Sequence, residues 1–125
     1  MYKLYLKLDR LPDSLNKKLN QHYHKRNRQN KMWDLIIAYE CQKKKPLSPL
    51  PKANLTIIRH SHRFLDFDGL VGSMKPVVDA LVTAGVLVDD SWIVIGRWNI
   101  DQRFRAKADG PMLEILVNET PDKLT

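Results

Sequence analysis

Cysteine is nearly absent: Cys41 is the only one in 125 residues, which excludes an intrachain disulfide and a thiolate metal site. Long apolar runs are missing too, and nothing approaches the roughly 18 residues that a membrane span needs. The opening MYKLYLKLDR alternates apolar and polar residues and carries charge. It lacks the apolar core of a secretory signal, so a cytoplasmic protein without membrane contact is expected. Internal repeats are lacking as well. Acidic residues are absent from two long stretches. The first, Ser14 to Trp33, holds Lys17, Lys18, Lys25, Arg26, Arg28 and Lys31. The second, Cys41 to Leu65, holds Lys43, Lys44, Lys45, Lys52, Arg59 and Arg63.

What is present is a folded composition, 43% hydrophobic and 28% charged, on a chain long enough for one domain spanning residues 1–125. A formal net charge of +7 and a pI near 9.6 draw the chain to polyanions, of which nucleic acid is the commonest. Residues 66–90 invert that pattern. Asp66, Asp68, Asp79, Asp89 and Asp90 stand there against the single Lys75, a net −4 that leaves +11 for the rest. A solvated acidic face is the ordinary explanation; a cation site supplied with phosphate by a basic surface is the other.

Period-2 alternation of Tyr2, Leu4, Leu6 and Leu8 predicts a first strand, ended by Pro12, Asp13 and Ser14. Met32, Leu35, Ile36 and Tyr39 recur at helical spacing within a helix expected over about 25–44. PLSPLPK then makes a surface connection to a second strand, Leu55–His60. A second helix is expected over 69–87, burying Leu70, Met74, Val77, Val78, Leu81 and Val82. Pro76 belongs in a first helical turn. Either Ser73 caps a helix starting at Met74, or a short turn over 69–73 leads into it with a kink. Gly85 is a plausible stop. Trp92–Trp98 and Met112–Val117 read as further strands joined by a loop with Arg103, Arg105 and Lys107. The order is β-α-β-α-β-β, an α+β fold with a mixed sheet and helices packed on it.

Asp66 and Asp68 flank Phe67 after the second strand, and in extended chain both side chains point the same way. Asp89 and Asp90 follow the second helix, so the two acidic pairs could meet across one strand end. Clustered carboxylates suit Mg²⁺, a hard cation that prefers oxygen and keeps waters for phosphate exchange. Such an ion positions hydroxide and neutralises a leaving oxygen in phosphodiester hydrolysis. Taken singly, each pair is equally an ordinary turn, and Asp68 could cap a helix. Lys75 and Asp79, four apart, share a helix face. They form either a surface ion pair or a cation for the transition state.

LDFDGLVGSMKPVVDALVTAGVLVDDSWIV resembles the signature of RusA-like Holliday-junction endonucleases. In that signature Asp-x-Asp-Asn leads into a helix with Lys and Asp-Ala-Leu, then Ala-Gly, then Asp-Asp. The likeness runs through Lys75, Asp79-Ala80-Leu81, Ala84-Gly85 and Asp89-Asp90. LPDSLNKKLNQHYHKRNRQNKMW is similar to the family's N-terminal Pro-x-Ser-x-Asn segment with its basic and aromatic residues. The resemblance implies a homodimer, often prophage-encoded, that makes Mg²⁺-dependent cuts in branched DNA, with Mn²⁺ as a substitute ion. By position it makes Asp66, Asp68 and Asp90 the metal carboxylates and Lys75 the essential lysine. Asp79 and Asp89 match secondary acidic positions. Two departures stand out: Gly69 replaces the family Asn, and the interval from Asp68 to Lys75 is longer by the turn around Leu70-Val71-Gly72.

Lys17, Lys25, Arg26, Arg28 and Lys31, with His22, Tyr23 and His24 among them, form an expected DNA-binding segment. It is equally readable as a solvated loop. His60 and His62 read as strand-end surface or DNA-facing residues, and Cys41 as a small buried or half-buried apolar one. Trp33, Trp92 and Trp98 read as core or dimer contacts. Alternative functions are a binding protein that has lost catalysis on the same fold, and a nuclease for flaps or RNA.

Overall fold

Alternation at the N-terminus becomes strand β1, Lys3–Leu8, with Leu4, Leu6 and Leu8 buried and Lys3, Tyr5 and Lys7 exposed. The computed structural model describes residues 1–13 and 23–121, with helical side chains from residue 27 onward. Helix α1, Tyr23–Cys41, follows, then β2, Ala53–Ser61. Two short helices come next, α2 over Phe67–Ser73 and α3 over Lys75–Thr83. Strands β3, Ile95–Phe104, and β4, Met112–Glu119, complete the fold around a 3-10 turn at Lys107–Asp109.

The four strands form one sheet in the order β1-β4-β2-β3. β4 runs antiparallel to β1 and β2, whereas β2 and β3 are parallel. A parallel pair cannot be closed by a hairpin, so the chain crosses over the sheet through α2 and α3. The fold is therefore α+β with a mixed sheet in the expected order of elements. Register aligns the buried side chains in rows: Leu4, Val117 and Leu55, then Leu6, Ile115 and Ile57. The third row, Leu8, Leu113 and Arg59, puts a guanidinium where a hydrophobe would continue the pattern. Arg59 is buried, its Nη1 donates to the Arg63 carbonyl at 2.6 Å, and its Nε has no hydrogen-bond partner among the described residues.

Two local expectations need correction, and of two alternatives for the second helix one is found. The stripe of α1 that meets the core is Trp33, Ile37 and Cys41, while Met32, Leu35 and Tyr39 are exposed and Ile36 is half-buried. Both stripes have helical spacing one residue, about 100°, apart. Trp33 has the larger area to bury. The second helix is two segments: α2 ends at Ser73, whose Oγ donates to the Leu70 carbonyl, and Pro76 sits in the first turn of α3. The kinked alternative is the one found. Strand β3 begins at Ile95, because Ser91–Val94 turn sharply through bonds from Val94 N and Ile95 N to the Ser91 carbonyl. It then pairs with β2 as far as Phe104 opposite Ser61, so Arg103 lies on a strand. Among the described residues no helix is long and apolar enough to cross a membrane.

Candidate functional site

Leu65 is fastened to β3 by two hydrogen bonds, from its N–H to Gln102 Oε1 at 2.9 Å and from Gln102 Nε2 to its carbonyl at 2.8 Å. The next residue, Asp66, is extended and caps α2, its Oδ1 accepting from Gly69 N at 2.8 Å. A short carboxylate at this position satisfies an N–H that the first helical turn leaves without a partner. Asp68 lies in that first turn. Because the helix begins at Phe67, Asp66 and Asp68 do not share an extended strand, and the argument that both point the same way does not apply to them. Both are exposed, as is Phe67 between them.

Lys75 opens α3. Its Nζ lies 3.1 Å from Asp79 Oδ1 and 3.2 Å from Asp90 Oδ2. The first contact follows from helical spacing. The second depends on how the chain returns. Gly85, at φ 84°, ends α3 with bonds from Gly85 N to the Val82 carbonyl and from Val86 N to the Leu81 carbonyl. That pattern is a Schellman motif, which suits a residue lacking Cβ. Leu50 then pairs with the returning chain, donating to the Val86 carbonyl and accepting from Val88 N. Asp89 and Asp90 follow, and Asp90 N bonds Asp89 Oδ1 at 2.8 Å. The hydrogen bonds that Lys75 donates to Asp79 and then to Asp90 push its ammonium pKa up. The bond from Lys75 holds the Asp90 carboxyl below its ordinary value. Lys75 is thus fixed as a cation, suited to stabilising charge more than to accepting a proton.

Asp66, Asp68 and Asp90 are not gathered at one point. Among the described residues no three His, Cys, Asp or Glu side chains form a group that could hold a metal ion. The reason lies in the crossover. Asp66 neighbours the residue tied to Gln102, toward the carboxyl end of β3. Asp90 shares a hollow with Trp98 and Ile100, two to four residues earlier on that strand. A parallel pair returns the chain to the opposite end of the sheet, so the acidic pairs do not meet across one strand end. The added turn between Asp68 and Lys75 is α2 itself. Chemically the donors still suit Mg²⁺, which is commonly held by one or two carboxylates, waters and substrate phosphate. Asp66 with Asp68, or Asp89 with Asp90, meets that requirement; one cage of Asp66, Asp68 and Asp90 does not.

Of the expected DNA-binding residues, Arg28 and Lys31 are exposed on α1. Lys17 and His22 lie outside the described residues, as do the side chains of Tyr23, His24, Lys25 and Arg26. Arg105 is occupied within its own loop, donating from Nε to the Gly110 carbonyl at 2.8 Å and from Nη2 to the Asp109 carbonyl at 3.2 Å. His60 stands near the end of β2, as expected, in the last pair of the β2–β4 ladder opposite Met112 and with its ring against Glu114, and His62 just beyond the strand is exposed. Trp33 is a core residue, but Trp92 and Trp98 are not: they are 83% and 43% exposed.

Sequence reasoning missed the hollow beside Lys75. It measures about 250 Å³ and is walled by α2, α3 and β3. Its signal was weak, since the alternation of Trp98, Ile100 and Gln102 toward the helices becomes visible only once β3 is known to run to Phe104.

No protein-family profile matches the sequence, and a search of curated proteins gives no significant match.

Proposed function

We propose that the chain is a Mg²⁺-dependent endonuclease for branched DNA, acting on structures such as the Holliday junction by phosphodiester hydrolysis. The observation that carries this reading is Lys75, bonded at once to Asp79 and to Asp90 fifteen residues away. These are three positions of the compound motif. A surface ion pair at helical spacing explains Asp79 alone; Asp90 reaches Lys75 only through the Schellman turn and the Leu50 pairing. Lys75, kept protonated, supplies positive charge to a phosphate at the crossover, where charge stabilisation lowers the barrier most. Asp66 and Asp68 at one end of α2, and Asp89 and Asp90 beyond the other, are the carboxylates available to a metal. Bound Mg²⁺ would supply Lewis-acid polarisation and an activated water there. The basic remainder of the chain, including exposed Arg28 and Lys31, draws the DNA backbone, and a homodimer would present two such sites to two strands.

The second reading is a nucleic-acid-binding protein without catalysis. It is favoured by the separation of Asp66 from Asp90 and by Gly69 in place of the family Asn. Incubation with synthetic four-way junctions, flaps, RNA duplex and linear DNA, with Mg²⁺, with Mn²⁺ and with chelator, separates the readings. The enzyme cuts a branched substrate only with metal, and Asp68→Asn and Lys75→Met each lower cutting by at least a hundredfold while binding survives. Salt-sensitive binding with no cutting under either metal supports the second reading instead. Cutting that persists in Asp68→Asn removes that residue from the metal site.

A further inference from the structure

The hollow of about 250 Å³ beside Lys75 is lined by Val71, Met74, Val78, Trp98 and Ile100, with Lys75 and Asp90 as its charged members. Its walls are aliphatic and aromatic. Its size is below that of an ordinary ligand pocket, roughly 300 Å³ and upward, and leaves no room for a helix or a folded segment. Trp98, 43% exposed, lies on β3 at the open edge of the sheet, so no neighbouring strand closes the approach.

We infer that this hollow receives one unpaired nucleobase, stacked on Trp98, from the same nucleic acid whose phosphate meets Lys75. The inference rests on the nucleic-acid reading above and deepens it by naming an unpaired nucleotide as part of the substrate. A base has an apolar face and a polar edge. The aliphatic side chains and Trp98 meet the face, as aromatic residues do in single-strand binding proteins. Asp90, whose Oδ2 accepts from Lys75, offers the edge an acceptor at the same place, while Lys75, bonded to Asp79 and Asp90, keeps its third N–H for the phosphate. Apolar side chains of a second copy could fill the same space but would offer no donor to the Asp90 carboxylate beside it. A paired base cannot enter, because its face is covered by its neighbours in the stack and its edge by its partner. Substrates with a nucleotide already unpaired are therefore preferred over perfect duplex.

The test is binding in chelator, so that it does not depend on catalysis. Fluorescence anisotropy is measured on a labelled duplex and on the same duplex with a short single-stranded gap. The wild-type protein binds the gapped DNA more tightly. Trp98→Leu loses about tenfold on gapped DNA, the scale of one base stacked on an aromatic ring, and loses little on duplex. Trp98→Phe retains most of the preference, which shows that the loss is of stacking and not of folding. With 2-aminopurine in the gap, its fluorescence is quenched by the wild-type protein and by Trp92→Phe, but not by Trp98→Leu. Equal loss on both DNAs, or none on either, overturns the inference. So does a Trp98→Leu protein that changes only its oligomeric state in sedimentation, since that makes this face a contact between copies. Failure to cut any DNA with Mg²⁺, with the gap preference intact, removes the endonuclease reading and leaves this inference standing.

Discussion

A Cβ added at Gly69 would lie 2.5 Å from Asp66 Oδ1, the oxygen that accepts the Gly69 N–H. No real Cβ tolerates that approach, so any side chain at position 69 displaces the Asp66 carboxylate from its capping position. The glycine that departs from the family motif is thus coupled to the aspartate expected to bind metal. Asp66→Ala is expected to cost about 1 kcal/mol, the usual loss of an N-cap. In a Gly69→Ala background the cap is already displaced, and the same substitution should cost close to nothing. Urea unfolding of the four proteins in a double-mutant cycle measures that coupling of about 1 kcal/mol; additive effects would refute it. On the endonuclease reading, Gly69→Asn releases Asp66 and lowers the Mg²⁺ concentration needed for cutting.

Lys75 and Asp90 make a second coupled pair, and its signature is a titration. Lys75 holds the Asp90 carboxyl below its ordinary value. Lys75→Met should therefore move the Asp90 carbon resonance to titrate at higher pH, toward the usual carboxylate value of about 3.9. A depressed carboxyl contributes stability above its unfolded pKa and loses it as pH falls through the folded one. The raised Lys75 pKa contributes below the unfolded lysine value and loses it as pH rises through the folded value. Both side chains are substantially exposed, so the stability effect should stay under about 1 kcal/mol. On the endonuclease reading, the larger effect of losing Lys75 should be on cutting. An Asp90 titration unmoved by Lys75→Met would show that the contact is not made in solution.

Cys41 closes α1 with 1% of its surface exposed, and burial pushes its thiol up to about 11. A thiol in that state is mostly protonated at pH 8 and shielded from reagents. Ellman's reagent should label it only in denaturant, whereas fast labelling of the native protein would contradict its burial. The sign is opposite to that of Asp90. A raised thiol pKa favours the protonated native state, so stability declines as pH rises from about 8.5 toward the folded value. Cys41→Ser should remove part of that alkaline decline.

The crossover shows what could be read from sequence and what could not. Leu70, Met74, Val77, Val78 and Leu81 declare their buried stripe by spacing, and Pro76 and Gly85 punctuate it, because these signals are local. Lys75 with Asp79 was legible for the same reason. Lys75 with Asp90 was legible only through the family likeness, since the contact depends on a turn at Gly85 and a bridge from Leu50 to Leu87. The sequence offered Asp68 as the cap of a helix starting at 69, whereas the helix starts two residues earlier and Asp66 caps it. Only the backbone, with the helix beginning at Phe67, shows that Asp66 takes the cap.

On α1 the ambiguity between two stripes can be tested directly. Periodicity fits Met32, Leu35, Ile36 and Tyr39 as well as Trp33, Ile37 and Cys41, and hydrophobicity does not separate them. Geometry does: Trp33 and Ile37 are 1% and 0% exposed, whereas Leu35 and Tyr39 are 73% and 70% exposed. Removing Trp33 leaves a large cavity in the core beside α1. Trp33→Ala should cost about 3–5 kcal/mol and Ile37→Ala about 2–5 kcal/mol. Leu35→Ala and Tyr39→Ala should fall within about 0.5 kcal/mol of the parent. Chemical denaturation of the four variants reads the difference. If Leu35→Ala were as costly as Ile37→Ala, the exposed stripe would be covered in solution by a second copy, and the midpoint of that unfolding would rise with protein concentration. A concentration-independent midpoint with a small loss leaves the outer face of α1 to solvent and assigns the packing of this helix to Trp33 and Ile37.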